Sequence, residues 1–212
     1  MRSINCKTGQ GISRWLFPLA AVIWFCIAFW AINWVGTSKF SDFDPELRLS
    51  SQMMSLSMEA ELVKVLSASV AQNGLENVES DMTNDSESVN GTIFHVTQGS
   101  CFCETLSEGH KNTLNEWARG RKISYQNIDL SAMSDLRRFV PSTPAVIVLN
   151  KHRELVYLGP YSTGMGCFQS SGMVDERIKP YFQNSTAEFR ATIQSEAKGC
   201  YCATPAPLNL KT

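Results

Sequence analysis

The chain has 212 residues, enough for one domain of ordinary size plus accessory segments. Its formal net charge of -1 gives no footing for a nucleic-acid partner. Seven cysteines are too many to be incidental, and an odd number cannot form a fully closed disulfide framework.

Trp15 to Val35 carries no charged residue, and a spanning helix needs about 20 such residues. Trp15, Trp30 and Trp34 stand near its ends, where aromatic side chains favour the membrane interface. A cleaved signal peptide would have a shorter apolar core followed by a small-x-small site. Here the run ends in Asn33-Trp34-Val35, so an uncleaved anchor at 15–35 is the reading. Arg2, Lys7 and Arg14 precede it with no acidic residue, which predicts residues 1–14 in the cytoplasm. The rest is then expected in the periplasm, making this a single-pass protein of the inner (cytoplasmic) membrane. Cys6 and Cys26 need no function beyond a cytosolic thiol and a lipid-buried one.

Residues 36–73 read as a helical stalk. Asp44 is placed as N-cap and Pro45 as the first helical residue. Leu47, Met54, Met58, Leu62 and Val65 make an apolar stripe at helical spacing, and Asn73-Gly74 is a natural stop. The preferred reading packs this stripe on the domain or the membrane surface; a homodimer through the stalk is the alternative, weakened by its few, interrupted heptads. Residues 74–90 carry Glu76, Glu79, Asp81, Asp85 and Glu87 without a base, the composition of a flexible acidic linker.

From 91 to 202 the pattern is that of an α/β domain. A strand at 92–97 is followed by Ser100-Cys101-Phe102-Cys103 and a helical run from Leu106 to Arg119. A strand at 123–130 and a short helix lead to Thr143-Pro144, the apolar strand Ala145–Leu149, a turn at 150–153 and the strand Leu155–Leu158. A glycine-rich loop reaches Gly166-Cys167, a last helix spans Val174 to Tyr181, and Gly199-Cys200-Tyr201-Cys202 precedes a proline-rich, disordered tail at 203–212. That order is the order of a thioredoxin-like fold, here preceded by a single transmembrane helix and a helical stalk. His95 reads as a packed or half-exposed strand histidine. His110 and His152 read as solvent-facing.

Cys101 and Cys103 carry the chemistry. A helix start lowers a cysteine pKa through its free N–H groups and dipole, and the thiolate is the nucleophile of disulfide exchange. Glu104 and Glu108 oppose that effect somewhat. Redox thioredoxins have two residues between their cysteines, whereas this pair has one. A bridge across C-x-C closes a small, strained ring, so a cycling pair here would be oxidising or isomerising, or would never close on itself. Thr143-Pro144 stands where that fold carries a cis-proline beside the active cysteine, the preceding residue binding the substrate backbone.

The segment from Thr92 to Cys202, roughly half the chain, resembles an uncharacterised bacterial family of membrane-anchored, thioredoxin-like domains of unknown function. The likeness rests on Cys101 and Cys103, Thr143 and Pro144, Gly166-Cys167, and the closing Gly199 to Cys202. It implies a thioredoxin-like fold and a membrane location, and no established activity. More distantly the layout is similar to membrane-tethered periplasmic thiol-disulfide oxidoreductases.

Three functions remain open on sequence. In the first, a thiol-disulfide oxidoreductase acts on periplasmic protein thiols or disulfides: Cys101 attacks, Cys103 resolves, Thr143 and Pro144 bind substrate, and Cys167, Cys200 or Cys202 relays electrons. No cofactor or metal is expected in that case. In the second, Cys101, Cys103, Cys167, Cys200 and Cys202 supply thiolates to Cu or Zn, although five exceed the four of a tetrahedral site. In the third, a non-catalytic interaction domain uses Cys167 and a tail cysteine as a structural disulfide.

Overall fold

The computed structural model describes residues 10–38, 40–72, 89–99, 101–164, 172–183 and 191–206. It divides into two units, 1–39 and 40–212. The first is helix α1, Gln10–Ser38, which contains Pro18. Its stretch Leu16–Trp34 is long and apolar enough to cross a membrane, and none of it is buried against protein. Trp30 and Trp34, one helical turn apart, stack with ring centroids 6.0 Å apart.

The second unit is a mixed α/β domain. Its elements are β1 (Ser41–Asp42), α2 (Arg48–Gln52), α3 (Met58–Gln72), β2 (Gly91–Thr97), α4 (Phe102–Arg119) and β3 (Ile123–Asp129). There follow a 3-10 turn (Ser134–Arg138), β4 (Ser142–Thr143), β5 (Ala145–Asn150), β6 (Leu155–Gly159), α5 (Met173–Gln183), β7 (Thr192–Ile193), β8 (Lys198–Gly199) and β9 (Cys202–Ala203). A five-stranded sheet has the order β3-β2-β5-β6-β7. β2 runs parallel to β3 and antiparallel to β5, β5 antiparallel to β6, and β6 parallel to β7.

Alternation along the two central strands explains the layering, because successive side chains point to opposite faces. Ile93 of β2 and Val146 and Val148 of β5 pack with Leu114 and Ala118 of α4 and Val174 and Ile178 of α5. Phe94, Val96, Ala145, Ile147 and Leu149 pack instead with Leu62 and Leu66 of α3, Leu136 of the 3-10 turn and Phe43. Every residue of β5 is buried, so the sheet requires cover on both sides.

That requirement recasts the stalk. Met58 and Leu62 of the stripe belong to the core of the domain and Val65 packs partly against it, as the packed reading expected, and Leu66, outside the stripe, joins them. Leu47 and Met54, read on the same stripe, are exposed. The helix does not begin at Pro45 either: residues 43–47 form a bend and turns, and Leu47 takes a left-handed conformation, φ 54°. Asp44 still caps α2 through space, for its Oδ2 accepts the Ser50 N–H at 2.8 Å and the Ser50 hydroxyl at 2.9 Å. This serves an orphan donor of the first turn. Residues 74–88 of the acidic stretch lie outside the described residues.

The C-terminal segment is built into the fold further than its prolines suggest. β8 pairs with β1 and β9 with β4. Ala203 lies opposite Ser142, and buried Thr204 donates its N–H to Pro141 O at 2.8 Å. Arg48 adds a clamp: its Nη2 donates to Thr204 O at 2.6 Å and to Pro141 O at 3.2 Å.

Candidate functional site

α4 begins at Phe102, four residues before the expected Leu106, and Cys101 is its N-cap with extended backbone, φ -89° and ψ 121°. Cys101 O accepts the Glu104 N–H at 3.1 Å. Cys103 enters the buried stripe of the helix, which continues through Ser107, His110, Leu114 and Ala118. The N-cap bend lets two sulfurs separated by a single residue face the same neighbour.

That neighbour is the C-terminal segment. Gly199 and Ala203 lie in short strands on either side of it, and in near-extended chain Cys200 and Cys202 fall on one side and Tyr201 on the other. Tyr201 packs edge-on against Phe43, centroids 5.3 Å apart, and its hydroxyl donates to Ser162 O at 2.6 Å. Residue 199 must be glycine, because a Cβ there would stand 2.9 Å from the Tyr201 ring. Gly164 serves the same segment: with φ 59° its N–H donates to Lys198 O at 2.6 Å.

Two disulfides join the elements. Cys101 is bonded to Cys202 with Cα atoms 6.3 Å apart, and Cys103 to Cys200 with Cα atoms 5.5 Å apart, both within the usual span. The C-x-C pair does not close on itself. Each of its cysteines is bonded to one of the tail pair, so the two C-x-C units face each other as two rungs. Cys103 and Cys200 are buried, whereas Cys101 and Cys202 are partly open to solvent. Among the described residues Cys26 is the free cysteine. Cys167 lies outside the described residues.

Thr143 and Pro144 reach the same place from the sheet. Thr143 lies opposite Cys202 in the β4–β9 pair. The Thr143-Pro144 peptide bond is cis. Pro144 lines, with Cys101, Phe102, Glu108, Lys111 and Tyr161, a cleft of about 610 Å3. Phe102 presents its ring to solvent on the rim. Glu104, whose sequence position promised a carboxylate beside the cysteines, is engaged elsewhere: its Oε1 accepts the Gln98 N–H at 2.7 Å.

Beneath the cleft is a polar layer that the sequence did not announce. Tyr161 is buried and stands between two histidines, nearly parallel to His95 with centroids 5.9 Å apart and to His110 at 6.3 Å. The Asn115 Oδ1 accepts from His95 Nε2–H at 2.6 Å, which leaves His95 Nδ1 to accept the Tyr161 hydroxyl. Burial pushes the His95 pKa from its ordinary 6.5 down to about 4, against a smaller upward pull from Asn115. Burial also raises Tyr161 well above its ordinary value, reinforced by Glu108 and Glu104. His95 is thus packed, as expected, and is neutral. His110 is not solvent-facing but fully buried. Its position three residues after Ser107 and four before Leu114 on the buried stripe was the signal for this. His152 is exposed in the turn after β5, as expected.

Residues 69–204 match the family model described as a domain of unknown function, DUF6436. The chain belongs to this family. No curated protein and no solved structure matches it. The DUF6436 match takes in both C-x-C units, Thr143-Pro144 and most of α3's C-terminal turn, and it ends at the Thr204 that Arg48 clamps. Membership therefore agrees with the resemblance to an uncharacterised family and brings no activity with it.

Proposed function

We propose that this DUF6436 protein is a membrane-tethered, thioredoxin-like thiol-disulfide exchange protein, whose working bond is Cys101–Cys202 and whose buried bond, Cys103–Cys200, is a staple. The observation that carries this reading is the difference in access between the two rungs: Cys202 is partly open, whereas Cys103 and Cys200 are both buried. The thioredoxin-like reading is supported by the parallel β2–β3 and antiparallel β2–β5 pairings and by cysteines at the start of the helix after the first of these strands.

The chemistry follows from position. A substrate thiolate attacks the Cys202 Sγ; the S–S bond to Cys101 breaks, and Cys101 leaves as a thiolate. The helix start favours that leaving group, because a thiol of lower pKa leaves faster. The product is a mixed disulfide between substrate and Cys202. A second substrate thiol displaces Cys202, so the substrate leaves oxidised and the Cys101–Cys202 pair has gained two electrons and two protons. In reverse, Cys101 attacks a substrate disulfide and Cys202, rather than Cys103, resolves it. The polypeptide being oxidised or reduced lies along the cleft, where Thr143 and Pro144 border the sulfurs and Phe102 offers an apolar contact. Positive residues before α1 support an orientation with this domain outside the cytoplasm, where disulfides persist.

The test is differential alkylation of the full chain in detergent, equilibrated across a graded dithiol redox buffer, with the bridges mapped by mass spectrometry. Reversible opening of Cys101–Cys202 while Cys103–Cys200 stays closed is the expected result, together with loss of exchange on a disulfide-containing protein in Cys101→Ser. Two bridges that resist reduction until the protein unfolds would overturn the reading in favour of structural staples alone.

A further inference from the structure

We infer that the same four sulfurs, when fully reduced, form a tetrathiolate site for a soft divalent or monovalent cation, Zn2+ or Cu+. The observation is a convergence of sulfurs that extends beyond the two covalent bonds. The Sγ atoms of Cys101, Cys103 and Cys202 all lie within 4.8 Å of one another, and Cys200 is bonded to Cys103. A tetrahedral Zn–S4 centre has Zn–S distances of about 2.3 Å, which sets its sulfurs roughly 3.8 Å apart. The bonded pairs, now 1.96 and 2.05 Å apart, must open to that spacing, while the unbonded Cys101–Cys103 and Cys103–Cys202 sulfurs already lie within 4.8 Å of each other. Rotation about χ1 moves a sulfur by this much with the backbone in place.

Ordinarily, opening two bridges to a chain end would let that end drift away. Here it is held by independent contacts. Tyr201 is buried with its hydroxyl on Ser162 O, and its own carbonyl accepts from the Ser41 hydroxyl at 3.0 Å. Phe43 N–H donates to Ala197 O at 2.7 Å, and Arg48 holds Thr204 O. β8 and β9 keep their pairings to β1 and β4. Neither C-x-C unit depends on the disulfides for its place, so the reduced thiols remain gathered.

Chemistry then selects the ligand. Four thiolates and no oxygen ligand suit zinc or cuprous copper and not calcium or magnesium. The N-terminus of α4, whose free N–H groups face this end, offsets part of the excess negative charge. The electron balance is closed: two equivalents of a dithiol are oxidised to two disulfides, delivering four electrons and four protons to the two bridges. The four thiols then release their protons to solvent as the cation binds.

The experiment takes the full chain in detergent, reduced anaerobically with a phosphine, freed of reductant, and titrated with Co2+ and then Zn2+. The expected result is one metal per chain, an intense thiolate-to-cobalt charge-transfer band with the visible ligand-field bands of a tetrahedral site, and displacement of Co2+ by Zn2+. Cys26→Ser should bind as the parent does. Cys200→Ser and Cys202→Ser should each weaken binding more than ~100-fold, beyond what the loss of an outer-shell partner costs. Absence of the tetrahedral thiolate spectrum in the parent chain overturns the inference, whatever the variants do. So does metal retained undiminished by Cys200→Ser/Cys202→Ser. Because the titration starts from fully reduced protein, it is independent of whether Cys101–Cys202 exchanges with substrates.

Discussion

Thr143 and Cys202 face each other across an antiparallel strand pair, so the residue next to the cis-proline already has a cysteine-bearing chain beside it. The same Cys202 is bonded to Cys101 at the start of α4. The C-terminal segment is thus joined both to the strand before the cis-proline and to the start of α4.

From the difference in burial between the rungs, the Cys202→Ser variant should expose a single new thiol, Cys101, to mild alkylation of the folded protein. Cys200→Ser should leave its partner Cys103 poorly reactive until denaturant is added, because Cys103 is buried. Alkylation rates followed by mass distinguish the two. Equal reactivity of the two released thiols would contradict the assignment of a working bond and a staple.

α3 should contribute to the stability of the domain although it lies before the acidic stretch. Leu62 is fully buried in the core it shares with Phe94 and Ile147. Leu62→Ala should cost about 2–5 kcal/mol, whereas Leu47→Ala, at an exposed position, should stay within about 0.5 kcal/mol. Urea unfolding of both variants, followed by tyrosine and tryptophan fluorescence, checks this. A free stalk would leave the domain's midpoint unmoved in either case.

The Tyr201 hydroxyl bond to Ser162 O is buried, so Tyr201→Phe should destabilise by about 0.5–1.5 kcal/mol. Tyr201→Ala should cost more, about 3–5 kcal/mol, by emptying the space against Phe43. In the reduced protein the same change should free the tail, read as faster proteolysis near residue 200. A tail held by its disulfides alone would show no difference between parent and variant after reduction.

Stability should fall with acid through His95. Its pKa is depressed in the fold from 6.5 to about 4, so the unfolded chain takes up a proton first as pH drops. The contribution is complete above about pH 6.5, declines between 6.5 and 4, and is gone below. The loss is on the order of 3 kcal/mol across that window. Unfolding free energies at several pH values should show this slope, and His95→Gln should flatten it. A parent curve level from pH 7 to 4.5 would mean that His95 takes up its proton in the fold as readily as in the unfolded chain.

Much of the secondary structure could be read locally. β2, β3, β5, β6, α4 and α5 lie within a few residues of where periodicity and turn residues put them, and α1 is the apolar stretch it looked like. Such patterns concern neighbours along the chain, at two residues per repeat in strands and 3.6 in helices. The helical run is read only from Leu106, because Cys101, not one of the usual capping residues, occupies the N-cap, whereas the helix start at the cysteine pair itself agrees with the sequence reading.

The sequence by itself determined that two C-x-C units exist, that one stands at a helix start, and that a membrane-length helix precedes a mixed α/β domain. Which cysteine joins which was decided only by tertiary structure. Four cysteines in two pairs admit three connectivities, and the observed partners are 101 and 97 residues apart, beyond the reach of any local pattern. The covering of the sheet's second face by α3, and the burial of His110 against Tyr161, were likewise settled by packing. β5 is apolar on both faces and must be enclosed by whatever helices the chain brings to it, wherever in the sequence they lie.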